Sequence, residues 1–194
     1  PIFQQVCGVL ASFPSFFTSQ ERRRAVICCV RNPAWVMDSF ESIYRKNPFD
    51  YSRMFNPGTR QTVYSRCESL ISSGGAAGSS WMALKEAYYG EFSDRLLLID
   101  YDLLTQHPTR TIELLYEFIG EPLFDHDFDN VIYEENEFDR KLGVKGLHSV
   151  KKKVEFKSRR SILPPDLFQK YSEMSFWQDS AGTSASIIAP KATS

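Results

Sequence analysis

Two short apolar segments, each leading into a helical pattern, constrain the fold of this chain more than any other sequence feature. Residues 25–30 (AVICCV) and 96–101 (LLLIDY) are almost uninterrupted apolar runs. Continuous runs are typical of parallel strands that are buried on both faces. The sequence therefore predicts an α/β protein with a parallel sheet flanked by helices. Because two strands make a poor sheet, we expect further short strands elsewhere, or a sheet that is only partly contained in this sequence.

A helix is predicted after each strand. After the first, Asn32 is a good N-cap residue and Pro33 suits the first helical turn. The helical pattern ends at Asn47 and Pro48. Its apolar stripe is Val36, Phe40, Ile43 and Tyr44.

After the second strand, a turn is predicted at residues 106–108, followed by a helix that Gly120 and Pro122 end. The apolar stripe of this helix is Ile112, Leu115, Phe118 and Ile119.

The other segments are predicted from local signals. Residues 59–71 and 81–89 are expected to be helices, separated by a mobile Gly/Ser loop over residues 72–80 (SSGGAAGSS). A short helix is expected over residues 163–171, which begin LPPD. The small, polar tail at residues 180–194 is expected to be loosely held.

Composition limits the classes of function open to the chain. Its 194 residues are 42% hydrophobic, which is ample for one packed core, so a single domain is expected over residues 1–194. The formal net charge is -1, so neither nucleic acid nor an anionic membrane is an expected partner, and any anion site must be local. The longest apolar run, residues 25–30, is far shorter than the ~20 residues that cross a bilayer.

Cysteine and metal chemistry are not indicated. Cys28 and Cys29 are adjacent in a strand and point to opposite faces, so we expect all four cysteines to be reduced thiols of a cytoplasmic protein. No Cys-x-x-Cys or His-x-x-x-His spacing provides zinc ligands. The run Asp125, Asp127 and Asp129 lacks the Gly and Glu that an EF-hand calcium loop requires, so no metal is expected.

Charge is strongly segregated in the second half of the chain. Residues 121–139 hold eight acidic and no basic residues, whereas residues 145–160 hold seven basic residues and one Glu. The acidic residues are expected to pair with the basic segment or to face water. The basic segment either covers a ligand with several negative charges or forms a solvated lysine face.

The turn after the first strand is the strongest candidate for a binding site. In open α/β sheets, ligands bind beyond the carboxyl ends of strands, where the next helix offers unpaired N–H groups to an anion. Arg31 stands at this point, and Ser39 lies two helical turns beyond the Asn32 cap on the same face. A guanidinium fork and a hydroxyl donor suit a phosphomonoester. The simpler alternatives are a surface salt bridge for Arg31 and a solvated hydroxyl for Ser39.

Residues 25–48 (AVICCVRNPAWVMDSFESIYRKNP) resemble the 3'-phosphate-binding segment of sulfotransferases that use 3'-phosphoadenosine 5'-phosphosulfate (PAPS). In that family an Arg that closes a strand and a Ser eight residues later hold the 3'-phosphate, and Arg31 and Ser39 match those positions. Residues 96–122 resemble the family's later strand, acidic turn and helix, and residues 146–171 resemble a bacterial sulfotransferase-like subgroup. The resemblance covers most of residues 25–177.

The resemblance implies a P-loop-like sulfotransferase fold and the transfer of a sulfuryl group from PAPS, the co-substrate, to a hydroxyl or amine of a small-molecule acceptor. Arg31 and Ser39 would bind the donor, and a C-terminal basic segment would complete the 3'-phosphate site, although its motif does not align with particular residues here. The catalytic base is not identified, because His107 sits at a helix entry, His126 lies in the acidic stretch and His148 matches no position of the family's motifs.

The sequence departs from the family ahead of the first strand. The family's N-terminal strand ends in a Gly-Thr-rich phosphosulfate-binding loop with a Lys or Arg, and no such sequence precedes Ala25. We therefore expect residues to be missing before Pro1 and between Arg24 and Ala25, which would leave the fold incomplete at its N-terminus. Residues 74–80 do not replace the loop, because no Lys follows them and no apolar strand precedes them.

The chain is thus interpreted as one sulfotransferase-like domain with an N-terminal helical segment (residues 1–24), a core (residues 25–177) and a tail (residues 178–194). Two alternatives stay open. A non-catalytic nucleotide-binding or assembly module would keep the cleft without the donor-activating loop. A P-loop kinase-like phosphotransferase would need a Lys-bearing phosphate loop and magnesium carboxylates, which the sequence lacks. The sequence specifies neither the acceptor nor the oligomeric state.

Overall fold

A three-stranded parallel sheet organises the protein, whose computed structural model describes residues 25–46, 58, 61–131 and 151–189. The strands are β1 (Val26–Val30), β2 (Leu96–Asp100) and β3 (Ser186–Ile188), in that spatial order. Both pairings, β1 with β2 and β2 with β3, are parallel. The predicted strands and the α/β class with a parallel sheet are therefore confirmed.

Strand β3 changes the interpretation of the end of the chain. It supplies the further short strand that two predicted strands required. The expectation of a loosely held tail is wrong for residues 186–188, because Ser186 lies opposite Leu97 and Ile188 is buried beside β2. Residues 190–194 lie outside the described part of the chain.

Helices lie between the strands and on both faces of the sheet. They are α1 (Pro33–Lys46), α2 (Val63–Ile71), α3 (Gly78–Tyr88), α4 (Tyr101–Gln106), α5 (Pro108–Ile119) and α6 (Pro165–Ser172). The predicted helices are confirmed with shifted ends. Helix α4 was not predicted: it follows β2 directly and precedes the turn expected at residues 106–108. It begins there because the Asp100 carboxylate accepts a hydrogen bond from the Leu103 N–H at 2.9 Å. Gly120, with φ of 70°, ends α5 in the left-handed conformation.

Both faces of the sheet are covered, which explains the continuous apolar runs of β1 and β2. On one face, Val30 and Leu98 pack in a cluster with Leu84 and Tyr88 of α3. On the other face, Ile99 and its neighbours pack against α4 and α5. Side chains of β2 point alternately to the two faces and are buried on each of them.

A second apolar cluster joins α1, α2 and α6 beside the sheet. Met37 of α1, Leu70 of α2 and Leu167 of α6 are buried together with Tyr171. The cluster fixes α1, which follows directly from β1, against two elements that are distant in sequence.

The Gly/Ser segment at residues 72–80 is a packed corner, so the expectation of a mobile loop is wrong. Helix α3 begins inside it at Gly78, and Ala77 is buried. The N–H of Ala77 donates a hydrogen bond to the Leu70 carbonyl at 3.0 Å. A Cβ atom at Gly75 would lie 2.2 Å from the backbone oxygen of Ser69, so the two backbones approach too closely for a side chain.

Two aromatic residues of α3, Trp81 and Tyr88, pack in the core. Trp81 donates from its indole N–H to the Met174 carbonyl at 3.0 Å, and Tyr88 is fully buried. Tyr89, which follows the last residue of α3, is 45% exposed.

The cysteines of the described residues are thiols. Cys28, Cys29 and Cys67 are reduced, as predicted, and Cys7 lies outside the described residues. Burial, reinforced by the negative charges of Asp100 beside Cys29 and Glu41 beside Cys67, raises the pKa of both thiols to about 12. Both thiols therefore stay protonated near neutral pH.

Two expectations concern the N-terminal part of the chain, which the structure does not describe. The N-terminal helical segment at residues 1–24 and the junction between Arg24 and Ala25 lie outside the described residues. Within the described ranges, no helix combines the length and the apolar character needed to cross a membrane.

We expect Gly78→Ala to destabilise the protein, because its Cβ would lie 2.0 Å from the backbone oxygen of Ser72. Overpacking of this kind costs about 1–3 kcal/mol, and each kcal/mol corresponds to about 2–4 °C in Tm at this chain length. Gly74→Ala is the matched control, since nothing lies within 4 Å of its Cβ position. Thermal unfolding of both variants measures the difference, and equal Tm values would contradict the packed corner.

Candidate functional site

The carboxyl ends of β1 and β2 lie side by side, and polar residues from both strands meet there. The Arg31 Nε atom is 3.4 Å from Oδ1 of Asp102 in the first turn of α4. The guanidinium carbon of Arg31 lies 4.6 Å from the Tyr101 ring centroid and 6.0 Å from that of Trp35. The guanidinium is therefore held between a carboxylate and two aromatic rings at the mouth of the sheet.

The contact between Arg31 and Asp102 leaves polar atoms incompletely satisfied. Nε of Arg31 and Oδ1 of Asp102 are both buried, and neither forms a hydrogen bond within the described part of the protein. Buried polar atoms of this kind are uncommon in folded proteins. A guanidinium carries five N–H donors, so this end of the sheet is chemically suited to a ligand that accepts hydrogen bonds.

Ser39 lies on α1 and is linked to both Trp35 and the basic segment. Its hydroxyl donates to the Trp35 carbonyl oxygen at 2.9 Å and accepts a hydrogen bond from Nη2 of Arg159 at 3.3 Å. The guanidinium carbon of Arg159 lies 5.1 Å from the Trp35 ring centroid. Trp35 is thus the common neighbour of Arg31, Ser39 and Arg159.

Asp38, the residue before Ser39, fastens the end of the basic segment to α1. Its carboxylate is fully buried and forms an ion pair with Nη1 of Arg159. It also accepts hydrogen bonds from the Ile162 N–H at 2.7 Å and the Ser161 hydroxyl at 3.1 Å. These contacts place Arg159 beside Ser39.

Glu41, one turn further along α1, is a second buried carboxylate. It accepts hydrogen bonds from Nε and Nη2 of Arg66 at 2.8 and 2.7 Å, and from Nε of Arg45 at 2.8 Å. Burial alone would raise the pKa of Glu41, but the hydrogen bonds and charges of the two arginines lower it below its ordinary value. Glu41 of α1 and Arg66 of α2 thus join the two helices through charge-assisted hydrogen bonds.

The acidic and basic segments pair with one another, as one interpretation of the charge pattern predicted. Nζ of Lys153 is 2.7 Å from Oδ1 of Asp129. The backbones also pair, because the Val154 N–H donates to the Phe128 carbonyl at 2.8 Å. Residues 132–150, which include His148, lie outside the described residues.

Asp127 and Asp129 both have partners within the protein. Asp127 Oδ1 accepts hydrogen bonds from the N–H groups of Asp129 and Asn130 at 3.0 and 3.1 Å. Among the described residues, no group of three or more His, Cys, Asp or Glu side chains is arranged to hold a metal ion.

Two histidines lie within the described residues. The His126 Nε2 atom is 3.0 Å from the Tyr116 hydroxyl, and the His126 ring stacks on Phe128. His107 is exposed where α4 meets α5. Neither of these positions provides a reason to assign a catalytic base.

A cleft opens beside Arg31 and extends between α1 and the corner before α3. Its enclosed part is only about 10 Å³, room for roughly one water molecule, and the wider empty space of about 220 Å³ includes open solvent. It is lined by Arg31, Pro33, Val36, Met37, Ile71, Ala77 and Trp81. Arg31 is the sole charged residue of this lining, so the cleft is apolar with a cation at one edge.

Several residues of the site were not predicted from the sequence. Asp102 was indicated by the segment DYD directly after β2, because adjacent parallel strands end at the same edge of the sheet. Asp38 and Glu41 were indicated by two acidic residues among apolar positions of one helix. No local signal distinguished Arg159 from the other basic residues of its segment.

The chain belongs to the sulfotransferase domain family, which its residues 11–162 match. The match covers most of the chain and includes Arg31, Ser39, Asp102 and Arg159. It confirms the resemblance found in the sequence, and the parallel sheet flanked by helices agrees with the fold of that family. Searches of curated proteins and of solved structures found no match to the chain.

We expect Glu41→Gln to lower the free energy of unfolding near neutral pH by roughly 3–5 kcal/mol, because the buried Arg66 guanidinium loses its countercharge. The folded-state pKa of Glu41 lies below its ordinary value. The stabilisation is therefore present above the ordinary pKa and is lost as the pH falls through the folded-state pKa.

Urea unfolding near neutral pH and at about pH 3 measures this effect. The stability difference between the wild type and Glu41→Gln should shrink in acid. Glu86→Gln, at an exposed position of α3, is the control and should leave stability nearly unchanged at both pH values. A difference that stays constant with pH would show that the Glu41 charge is not its source.

Proposed function

We propose that the chain transfers a sulfuryl group from PAPS to a hydroxyl or amine of a small molecule, with Arg31 and Ser39 binding the 3'-phosphate of the donor. Membership of the sulfotransferase family supplies sulfotransferase activity in general. The single observation that carries the finer proposal is that Arg31, Ser39 and Arg159 surround Trp35 at the carboxyl end of β1.

The chemistry of this arrangement suits a phosphomonoester. A dianionic phosphate favours guanidinium groups because each can donate two parallel hydrogen bonds. The first N–H groups of α1 are not free for the anion, contrary to expectation, because the Ala34 N–H donates to the Asn32 side chain at 2.9 Å and the Trp35 N–H donates to the Asn32 carbonyl at 2.9 Å. The two guanidinium groups would therefore neutralise the phosphate charge.

In the proposed reaction, an acceptor oxygen or nitrogen forms a bond to the sulfur of PAPS. The bond between that sulfur and the bridging phosphate oxygen breaks, and adenosine 3',5'-bisphosphate leaves with the electron pair. The acceptor proton passes to a base or to solvent. Arg31 and Ser39 take no part in bond making; they hold the donor so that displacement can occur in line.

The proposed partner is a small-molecule acceptor, which the resemblance of residues 25–48 to PAPS-dependent sulfotransferases implies. The reduced thiols support the proposed cytoplasmic location. The likeness of residues 146–171 to a bacterial subgroup supports a bacterial origin.

We expect Arg31→Ala to weaken binding of adenosine 3',5'-bisphosphate by about 1.5–3 kcal/mol, or roughly 10- to 150-fold, through loss of a charge-assisted contact. Isothermal titration calorimetry measures the affinity. Arg110→Ala, on the exposed face of α5, removes the same charge away from the site and should leave the affinity unchanged. An unaltered affinity in Arg31→Ala would refute the assigned role.

Sulfate transfer from PAPS to a panel of small alcohols, phenols and amines then separates the alternatives. Turnover supports the proposed enzyme. Binding of the bisphosphate without turnover would favour the non-catalytic nucleotide-binding or assembly module. Phosphate transfer from ATP in place of sulfate transfer would favour the kinase-like alternative.

A further inference from the structure

Asp38 is a buried carboxylate whose contacts all lead to one short segment of chain. Its relative exposure is 0%, although it stands on a helix whose next residue, Ser39, reaches the surface. Burial of a carboxylate is costly unless it is paired and hydrogen-bonded. Ser161 and Ile162 supply the hydrogen bonds, and Arg159 supplies the countercharge.

The Arg159 guanidinium is divided between two neighbours on α1. Nη1 pairs with the Asp38 carboxylate, while Nη2 donates to the Ser39 hydroxyl at 3.3 Å. A guanidinium is planar and rigid, so fixing one nitrogen fixes the direction of the other. The ion pair with Asp38 therefore determines where the second nitrogen of Arg159 points.

The two members of the pair differ in their access to solvent. The Asp38 side chain is inaccessible, whereas that of Arg159 is 36% exposed and lies over the Trp35 ring. A ligand at the mouth of the sheet can therefore touch Arg159 but not Asp38. Without the carboxylate, Arg159 would sample many rotamers, because a long exposed side chain loses substantial entropy when it is fixed.

We propose that Asp38 is a positioning residue, which holds Arg159 beside Ser39 and thereby gives the 3'-phosphate site its second fixed cation. This inference rests on the proposed function, because it assumes that the anion at Arg31 and Ser39 is the donor's 3'-phosphate. It assigns to Asp38 a role in selecting nucleotides that carry a 3'-phosphate over those that lack it.

The test compares two ligands that differ in that group. Isothermal titration calorimetry gives the affinity of the full chain for adenosine 3',5'-bisphosphate and for adenosine 5'-phosphate, and their ratio is the 3'-phosphate preference. Asp38→Asn keeps the size of the side chain and an acceptor for Ile162 but removes the charge. We expect the preference to fall by about tenfold, with the affinity for adenosine 5'-phosphate unchanged.

A double-mutant cycle separates positioning from a general effect on folding. In an Arg159→Ala background, Asp38→Asn should cause no further loss of preference, because its target is absent. Asp94→Asn, at an exposed position, is the matched control and should keep the wild-type preference. An unchanged preference in Asp38→Asn, or a second loss in the Arg159→Ala background, would overturn the inference.

Arg159→Lys provides a second variant if Asp38→Asn does not fold. Lysine keeps the charge but has one nitrogen, which cannot engage Asp38 and Ser39 as a fork does. We expect it to lose the preference as Arg159→Ala does, and retention would overturn the inference. A wild type without any 3'-phosphate preference would overturn the proposed function as well, whereas a wild-type preference that Asp38→Asn preserves would overturn this inference alone.

Discussion

Helix α1 carries two buried carboxylates, and each depends on an arginine from another part of the chain. Asp38 pairs with Arg159, and Glu41 pairs with Arg66. A buried charge that loses its partner costs several kcal/mol, so α1 is stable in its place only when α2 and the end of the basic segment are packed against it. The end of the basic segment, which carries Arg159, is therefore tied to the helix that carries Ser39.

Local signals in the sequence predicted most of the regular structure. The strands β1 and β2 were evident because burial on both faces requires continuous apolar runs, and α1 because Asn32 and Pro33 mark its start. Strand β3 was not predictable in the same way, because three residues in a polar tail become a strand through their pairing with β2. The same holds for the corner at Gly78, where composition suggests mobility but close backbone packing decides the structure.

The candidate site was predictable where topology alone determines position. Arg31 follows from the rule that ligands bind at the carboxyl ends of parallel strands, and the register of β1 and β2 brings Asp102 to the same edge. Arg159 differs, because it lies 120 residues from Ser39 in sequence and reaches it through an ion pair with a buried acid. Nothing in the spacing of the basic segment separates that residue from its neighbours.

Trp35 lies beside the guanidinium groups of both Arg31 and Arg159, and its position has an optical consequence. The other two tryptophans, Trp81 and Trp177, pack against Phe176. The energy of indole emission responds to the electric field across the ring, and an anion that neutralises adjacent positive charge alters this field. The protein thus contains an intrinsic fluorophore at its candidate anion site, through which occupancy can be followed in solution without a label.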